Sequence, residues 1–493
     1  MRSIKAYVPS ITNLLLLIVF LFLLFQPLAT DDLWWHLKTG QLIWQTHSIP
    51  GFDVFSFTNF GQKWIAHEWL AEFFLYGTYK AFGLAGLILW QALMATGIFY
   101  LLNKIMQLRR VSLFYRLIGL VLAVGGTGPL WLCRPHLWTA LFLMGLVWIF
   151  EAGRCGLRIA DCGLEEKGLR IQNSARENQG ALFWLLPPLF VFWVNLHSGY
   201  VLGLIVAAIY LVPRKKYLLL AATLAACLIN PNTYHIFLFP FSFATGQLAN
   251  YKYVQEWGRP TVKLVPMFYV LITALAVFFF QAVRAKEKNS GVVWTDMALI
   301  LLFLLMAFSA VRHVALFVLI ALPVTMLLAE KYLPMPLLNK ERLENTDGQL
   351  SGWPLLLFIA VLMSILLLAG KLPARVSEKN LPVRAVQYIR ENNLHGNYFH
   401  HYNWGSYLVW ELWPEWKVFV DGRNEVHSLR FMEDEYLELI NAGPKWLEII
   451  ARRDITGVLL PPKGPLVKLL KGQTGWGEVY RDEQAVVFRK KVI

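Results

Sequence analysis

Repeated apolar runs constrain this chain more than any other feature. The first extends from Val8 to Leu28, and others occupy 84–104, 111–130, 137–152, 182–196, 199–212, 217–230, 264–283, 293–310, 314–329 and 354–370. A straight bilayer crossing takes ~20 apolar helical residues. Hydrocarbon offers the backbone no hydrogen-bond partner, so runs of this kind cross as helices that satisfy their own peptide groups. The series predicts a mostly α polytopic membrane bundle of about 11 transmembrane helices. Composition agrees, because only 16% of residues are charged, against roughly 25% in soluble proteins.

Charge orients the bundle. Met1 to Lys5 form a short basic leader, and the run behind it is too long for a signal-peptide core and has no small-residue cleavage site. It reads as an uncleaved anchor with a cytoplasmic N-terminus. Residues 31–66 then form a first outer loop. On this alternation Lys104–Arg116, Arg154–Arg176, Arg214–Lys216, Arg284–Lys288 and Lys331–Arg342 all fall inside, as the positive-inside rule requires. They read as solvated linkers. The net charge of +14 therefore reflects topology and does not point to a nucleic-acid partner. The cysteines, Cys133, Cys155, Cys162 and Cys227, match no metal or redox spacing.

The first outer loop opens with Thr30-Asp31-Asp32-Leu33-Trp34-Trp35-His36. Two adjacent carboxylates at a membrane edge are expensive unless water, a partner or a substrate compensates them. Thr30 can cap a helix with both acids in its first turn, and Asp32 and His36, four residues apart, share a face. An ordinary capped interfacial helix is the competing reading. A short alternating stretch at 54–58 follows, then a second helix near Ala66-His67-Glu68, with Glu68 and Glu72 aligned at i,i+4. His67-Glu68 is not a zinc-protease motif, because Ala71 stands where the second histidine would be. On the predicted topology Arg134, His136, Asn195, His197, Asn230, His235, Glu256, Arg259, Arg312 and His313 all fall at outer ends of spans. Singly each reads as a snorkelling or paired residue. Their one-sidedness predicts a polar cavity opening outward.

Composition changes beyond Pro373. Residues 1–372 read as the transmembrane domain, with a polar cytoplasmic linker at 331–352, and 373–493 as a soluble extracytoplasmic α/β domain long enough for its own core. Helices are predicted over 382–395 and about 429–452, a strand and turn over 398–405, a strand or helix over 407–412, a strand ending in a turn over 417–423, and strands at 456–460 and 485–489. Asp421-Gly422-Arg423 reads as a strand-end turn with a salt-bridged aspartate in preference to a glycan contact. There is no internal repeat and no phosphate-binding glycine loop.

An outward acid pair above such a bundle suits work on a membrane-embedded donor. A carboxylate can take a proton from an acceptor hydroxyl or hold a divalent metal against a diphosphate. Arginine and histidine at the rim can balance phosphate charge on a leaving group. Asp32-Leu33-Trp34-Trp35-His36-Leu37-Lys38-Thr39-Gly40, then Pro50, Asp53, Phe55-Ser56, Trp64 and Glu68-Trp69-Leu70, resemble the first loop of bacterial members of the type-C glycosyltransferase superfamily. Tyr402-Asn403-Trp404-Gly405-Ser406-Tyr407-Leu408 and Phe419-Val420-Asp421-Gly422-Arg423 resemble their outer domain. The resemblance implies inverting transfer of a sugar from a polyprenyl-phosphate donor to a glycan, lipid or protein acceptor on the outer side of a bacterial inner membrane. It puts the catalytic carboxylate at Asp31 or Asp32, the His36 register favouring Asp32. His67, Glu68, His197 and Glu256 would then contact substrate, with Arg134, Arg312 and His313 on lipid phosphate. Metal dependence varies in the superfamily, so a divalent metal stays open. A non-catalytic transporter or presenter of lipid-linked glycans is the alternative; it should show inverted repeats and broken helices at mid-membrane.

Overall fold

The computed structural model describes residues 11–28, 32–128, 131–161, 182–244, 255–285, 291–334, 353–372, 374–376 and 381–491. Thr30, Asp31 and most of the 331–352 linker lie outside the described residues. The chain forms two compact units. One comprises Met1–Gln26, Ala85–Thr233 and Val254–Ala374; the other comprises Pro27–Leu84, Tyr234–Tyr253 and Arg375–Ile493. The segment expected as the first outer loop thus belongs to the same unit as the C-terminal segment.

The first unit is helical. Every predicted run contains a helix, beginning with α1 (Ile11–Leu24). Among the described residues four helices are long and apolar enough to cross a membrane: Trp69–Leu108, His136–Arg154, Pro266–Arg284 and Val311–Tyr332. The others are shorter, and some are cut by polar breaks. His197-Ser198-Gly199, for example, separates Leu186–Leu196 from Tyr200–Leu211. Within Val314–Tyr332 every side chain from Val314 to Thr325 is buried, so this helix is the packed centre of the unit. Pro266–Arg284 presents the opposite surface. Its Val270, Val277, Phe280 and Val283 are all exposed, a continuous apolar face that lipid stabilises and water does not.

One expectation for this unit is corrected. Arg109 and Arg154, read as solvated linker charges, are enclosed in a four-residue ion network. Arg109 Nη2 lies 2.9 Å from Glu151 Oε1 and 2.7 Å from Asp296 Oδ1. Arg154 lies 3.3 Å from Glu151 and 3.7 Å from Asp296, and donates to Thr295 Oγ1 at 2.9 Å. Two acids balance two bases, which is how a low-dielectric interior tolerates ionised groups.

The second unit holds α2 (Leu33–Thr46), the first turns of α3 (Trp69–Leu108) and a four-stranded sheet. Helix α3 is interrupted at Gly83, whose φ of 58° is left-handed. The strands are β1 (Asn397–His400), β2 (Ile455–Leu460), β3 (Trp476–Arg481) and β4 (Val486–Lys490), in the order β1-β2-β4-β3. β1 and β2 run parallel, while β2–β4 and β3–β4 are antiparallel. Phe399, Phe419, Val458, Leu460, Leu466 and Phe488 fill the core over one face, each such side chain contributing roughly 1.5–3 kcal/mol by leaving water. The predicted helix at 429–452 is divided. A π-helical turn occupies Met432–Tyr436, and the chain breaks between Ile440 and Trp446, where Ala442 takes φ 54° ahead of Gly443-Pro444. The strand predicted to open the 417–423 stretch is a single parallel bridge between Val418 and Ser56. Val418 N donates to Phe55 O at 2.9 Å, and Phe57 N donates to Val418 O at 3.0 Å.

Candidate functional site

The site is built where α2 crosses α3. Gly40 lets the two backbones touch: a Cβ there would lie 2.1 Å from the Glu72 carbonyl oxygen and 2.7 Å from Tyr76 Cβ. One turn earlier on α2 stands His36, and one turn earlier than Glu72 stands Glu68, whose carbonyl accepts the Glu72 N–H at 3.0 Å. The crossing therefore brings one imidazole against two carboxylates. His36 Nδ1 lies 3.1 Å from Glu72 Oε1 and 3.7 Å from Glu68 Oε2. All three residues are buried, with ligand-capable atoms within 4.8 Å of one another. The Trp35 ring lies over His36 with centroids 3.7 Å apart.

His67 extends the group. Its Nε2 lies 3.5 Å from Glu68 Oε1, and its ring packs on Phe239 at 4.4 Å. Burial is the largest influence and opposes a charge on this imidazole, but the Glu68 carboxylate, Glu425 and the Ile65 carbonyl together hold the His67 pKa above its ordinary value.

Asp32 occupies the N-cap position of α2 in helical backbone conformation, and its side chain makes no capping hydrogen bond. Its carboxylate meets the C-terminal segment. A Cβ built on Gly422 would fall 2.0 Å from Asp32 Oδ1 and 3.1 Å from Trp35 Nε1. Only a glycine lets the 421–423 turn approach this closely.

That turn is held by an enclosed ion cluster. Arg423 is 0% exposed. Its Nη2 lies 2.6 Å from Asp421 Oδ2 and 2.8 Å from Asp53 Oδ1, and its Nε donates to Asp421 Oδ1 at 2.9 Å. The guanidinium is flanked by Phe55 and Trp64, with ring centroids 4.9 and 4.8 Å away. Burial works against ionised Asp421, yet Arg423 holds its carboxyl far below the ordinary range. The Ser56 hydroxyl donates to Asp53 Oδ2. Trp64 Nε1 donates to Glu425 Oε1 at 3.1 Å, and the Tyr402 hydroxyl to Asn424 Oδ1 at 2.9 Å. Gly405 packs its Cα against Val420 O, where a Cβ would come within 2.0 Å. Asp421-Gly422-Arg423 is thus a salt-bridged turn, as expected, and not an exposed glycan contact.

The predicted site residues separate accordingly. Asp32, His36, His67 and Glu68 belong to the second unit. Arg134, Glu256, Arg312 and His313 gather in the first. Glu256 there lies 3.3 Å from Arg134 Nη1 and 3.6 Å from Arg312 Nη1, while Arg312 stacks on Trp257 at 4.4 Å. His313 meets the edge of the same Trp257 ring at 6.0 Å. His197 serves local structure. Its Nδ1 accepts the Gly199 N–H at 3.0 Å just ahead of Tyr200–Leu211, and lies 2.8 Å from Thr139 Oγ1. Asp31 lies outside the described residues.

Glu72 is not in the predicted set, although its i,i+4 spacing from Glu68 is visible in the sequence. Asp53 and Arg423 are visible there only as motif positions, because their partnership joins residues 370 apart in sequence. No known protein-family model matches the chain, and no curated protein is significantly similar to it.

Proposed function

We propose that this protein is an inverting membrane glycosyltransferase of the type-C class, with about 11 transmembrane helices, a cytoplasmic N-terminus and an extracytoplasmic C-terminal segment (373–493), in a bacterial inner membrane. The donor is a polyprenyl-phosphate-linked sugar, and the acceptor is a hydroxyl or amide of a glycan, lipid or protein. Asp32 takes the acceptor proton as the acceptor attacks the anomeric carbon. The sugar–phosphate bond breaks, and polyprenyl phosphate leaves with the electron pair.

One observation carries the proposal. The residues that suggest the superfamily at the two ends of the chain meet around a single carboxylate, Asp32, pressed against Gly422 and rooted one turn from His36. A capped surface helix has no need of a buried arginine clamp to press a glycine turn onto its first acid. The four long apolar helices and the lipid-suited face of Pro266–Arg284 support the membrane setting.

Mass spectrometry of lipid co-purifying with the full-length protein tests the donor class. Polyprenyl-phosphate sugar is expected, enriched in Asp32→Asn, where turnover stops. Ordinary phospholipid alone in both preparations would remove the donor assignment.

A further inference from the structure

We propose that His36, Glu68 and Glu72 form a site for one divalent first-row transition-metal ion of the zinc or manganese type. The donor set and its spacing carry this. A metal bound at about 2.1 Å to each ligand requires neighbouring donor atoms about 3.0 Å apart in octahedral and about 3.4 Å apart in tetrahedral geometry. His36 Nδ1 stands 3.1 Å from one carboxylate oxygen and 3.7 Å from the other. Those two values bracket the tetrahedral spacing, and the shorter one lies close to the octahedral spacing.

The electrostatics point the same way. Glu72 is 1% exposed and His36 3%. Two carboxylates this close and this dry repel one another unless a proton or a cation sits between them. The charged neighbours that face them are His67 on Glu68, together with Glu425 and Arg423. Glu425 adds to the negative potential, and Arg423 is already engaged by Asp53 and Asp421. An independent sign is the second oxygen of Glu72, Oε2, which is buried with no hydrogen-bond partner among the described residues. A buried carboxylate oxygen left in that state is costly, and a metal ion satisfies it.

The support around the three residues suits ligation. His67 engages the Glu68 oxygen that does not face His36, orienting the carboxylate. Gly40 fixes the helix crossing on the other side. An imidazole nitrogen with two carboxylates selects zinc or manganese over magnesium and calcium, which prefer oxygen-only shells. The inference rests on these side chains and not on the transfer reaction, so the fate of transfer in Asp32→Asn neither supports nor removes it.

The test is metal binding by the full-length protein in detergent. After chelation, calorimetric titration with Zn2+ and with Mn2+ alone is expected to show one equivalent bound. Glu72→Gln and His36→Gln should each weaken that binding at least about 100-fold, more than loss of a supporting residue does, with near-UV circular dichroism unchanged. X-ray absorption of the zinc-loaded wild type should show nitrogen and oxygen ligands including one imidazole, a result that stands even where a variant fails to fold. A folded wild type that binds neither ion, unchanged affinity in both variants, sulfur or all-oxygen ligation, or preference for Mg2+ would each overturn the site.

Discussion

Gly422→Ala isolates the geometry on which the proposed chemistry depends. Gly422 is not among the glycines with positive φ, so alanine fits its backbone without strain. The added methyl would lie 2.0 Å from Asp32 Oδ1, where ordinary contact begins at 3.4 Å. The carboxylate must therefore retreat by about 1.4 Å, or the turn must lift by as much. Because Oδ1 is the far end of a rotatable side chain, the first response is the cheaper one. An off-rotamer aspartate costs about 0.5–1.5 kcal/mol, partly offset by the lower unfolded-state entropy of alanine. Stability should thus fall by less than about 1.5 kcal/mol. A base displaced by over 1 Å, in contrast, can lose about 100-fold in rate, or about 2.7 kcal/mol in the barrier. The assay is release of polyprenyl phosphate from radiolabelled polyprenyl-phosphate sugars by protein in proteoliposomes, with thermal unfolding measured on the same samples. Low turnover with a near-normal unfolding transition is the expected result. Wild-type turnover would refute the claim that the 421–423 turn positions the reacting carboxylate, and a collapse of folding would refute the claim that the side chain is what yields.

Gly40→Ala should behave in the opposite way, because its methyl would meet the Glu72 carbonyl oxygen at 2.1 Å and a backbone cannot rotate aside; the expected loss is about 1–3 kcal/mol by thermal unfolding, despite alanine's better helix propensity. Arg423→Met leaves Asp53 and Asp421 buried without their cation, so stability should drop by roughly 3–5 kcal/mol in denaturant titration. His400 accepts the Phe419 N–H on Nε2 at 2.9 Å and places Nδ1 3.1 Å from the His401 carbonyl, and burial lowers its pKa to about 4. An unfolded histidine takes its proton near 6.5, so stability present above that pH is lost as pH falls towards about 4, by up to about 3 kcal/mol. Unfolding measured across this window should be steeper in the wild type than in His400→Gln.

Much of the architecture is legible in the residues. The apolar runs mark where helices form, and the alternating and turn-rich stretches beyond Pro373 mark most of the sheet. What local pattern misses is tertiary. Arg109 and Arg154 look like linker charges because their partners, Glu151 and Asp296, cannot be inferred from sequence neighbours. The 429–452 stretch keeps helical periodicity through a π-turn and a Gly-Pro break that periodicity does not register. At the site, spacing on α2 singles out His36 and pairs it with Asp32. The structure gives His36 the Glu68–Glu72 pair of another helix, and gives Asp32 the Gly422 turn. A helical face identifies which side chains are neighbours along one element. Only the crossing at Gly40 decides what stands opposite.

The most direct measurement is donor turnover by Asp32→Asn. The exchange keeps the volume at the Gly422 contact and removes the base. Polyprenyl phosphate release should fall to the background of protein-free vesicles while unfolding matches the wild type and the uncleaved donor lipid still co-purifies, enriched. Turnover at the wild-type rate in that variant would contradict the account.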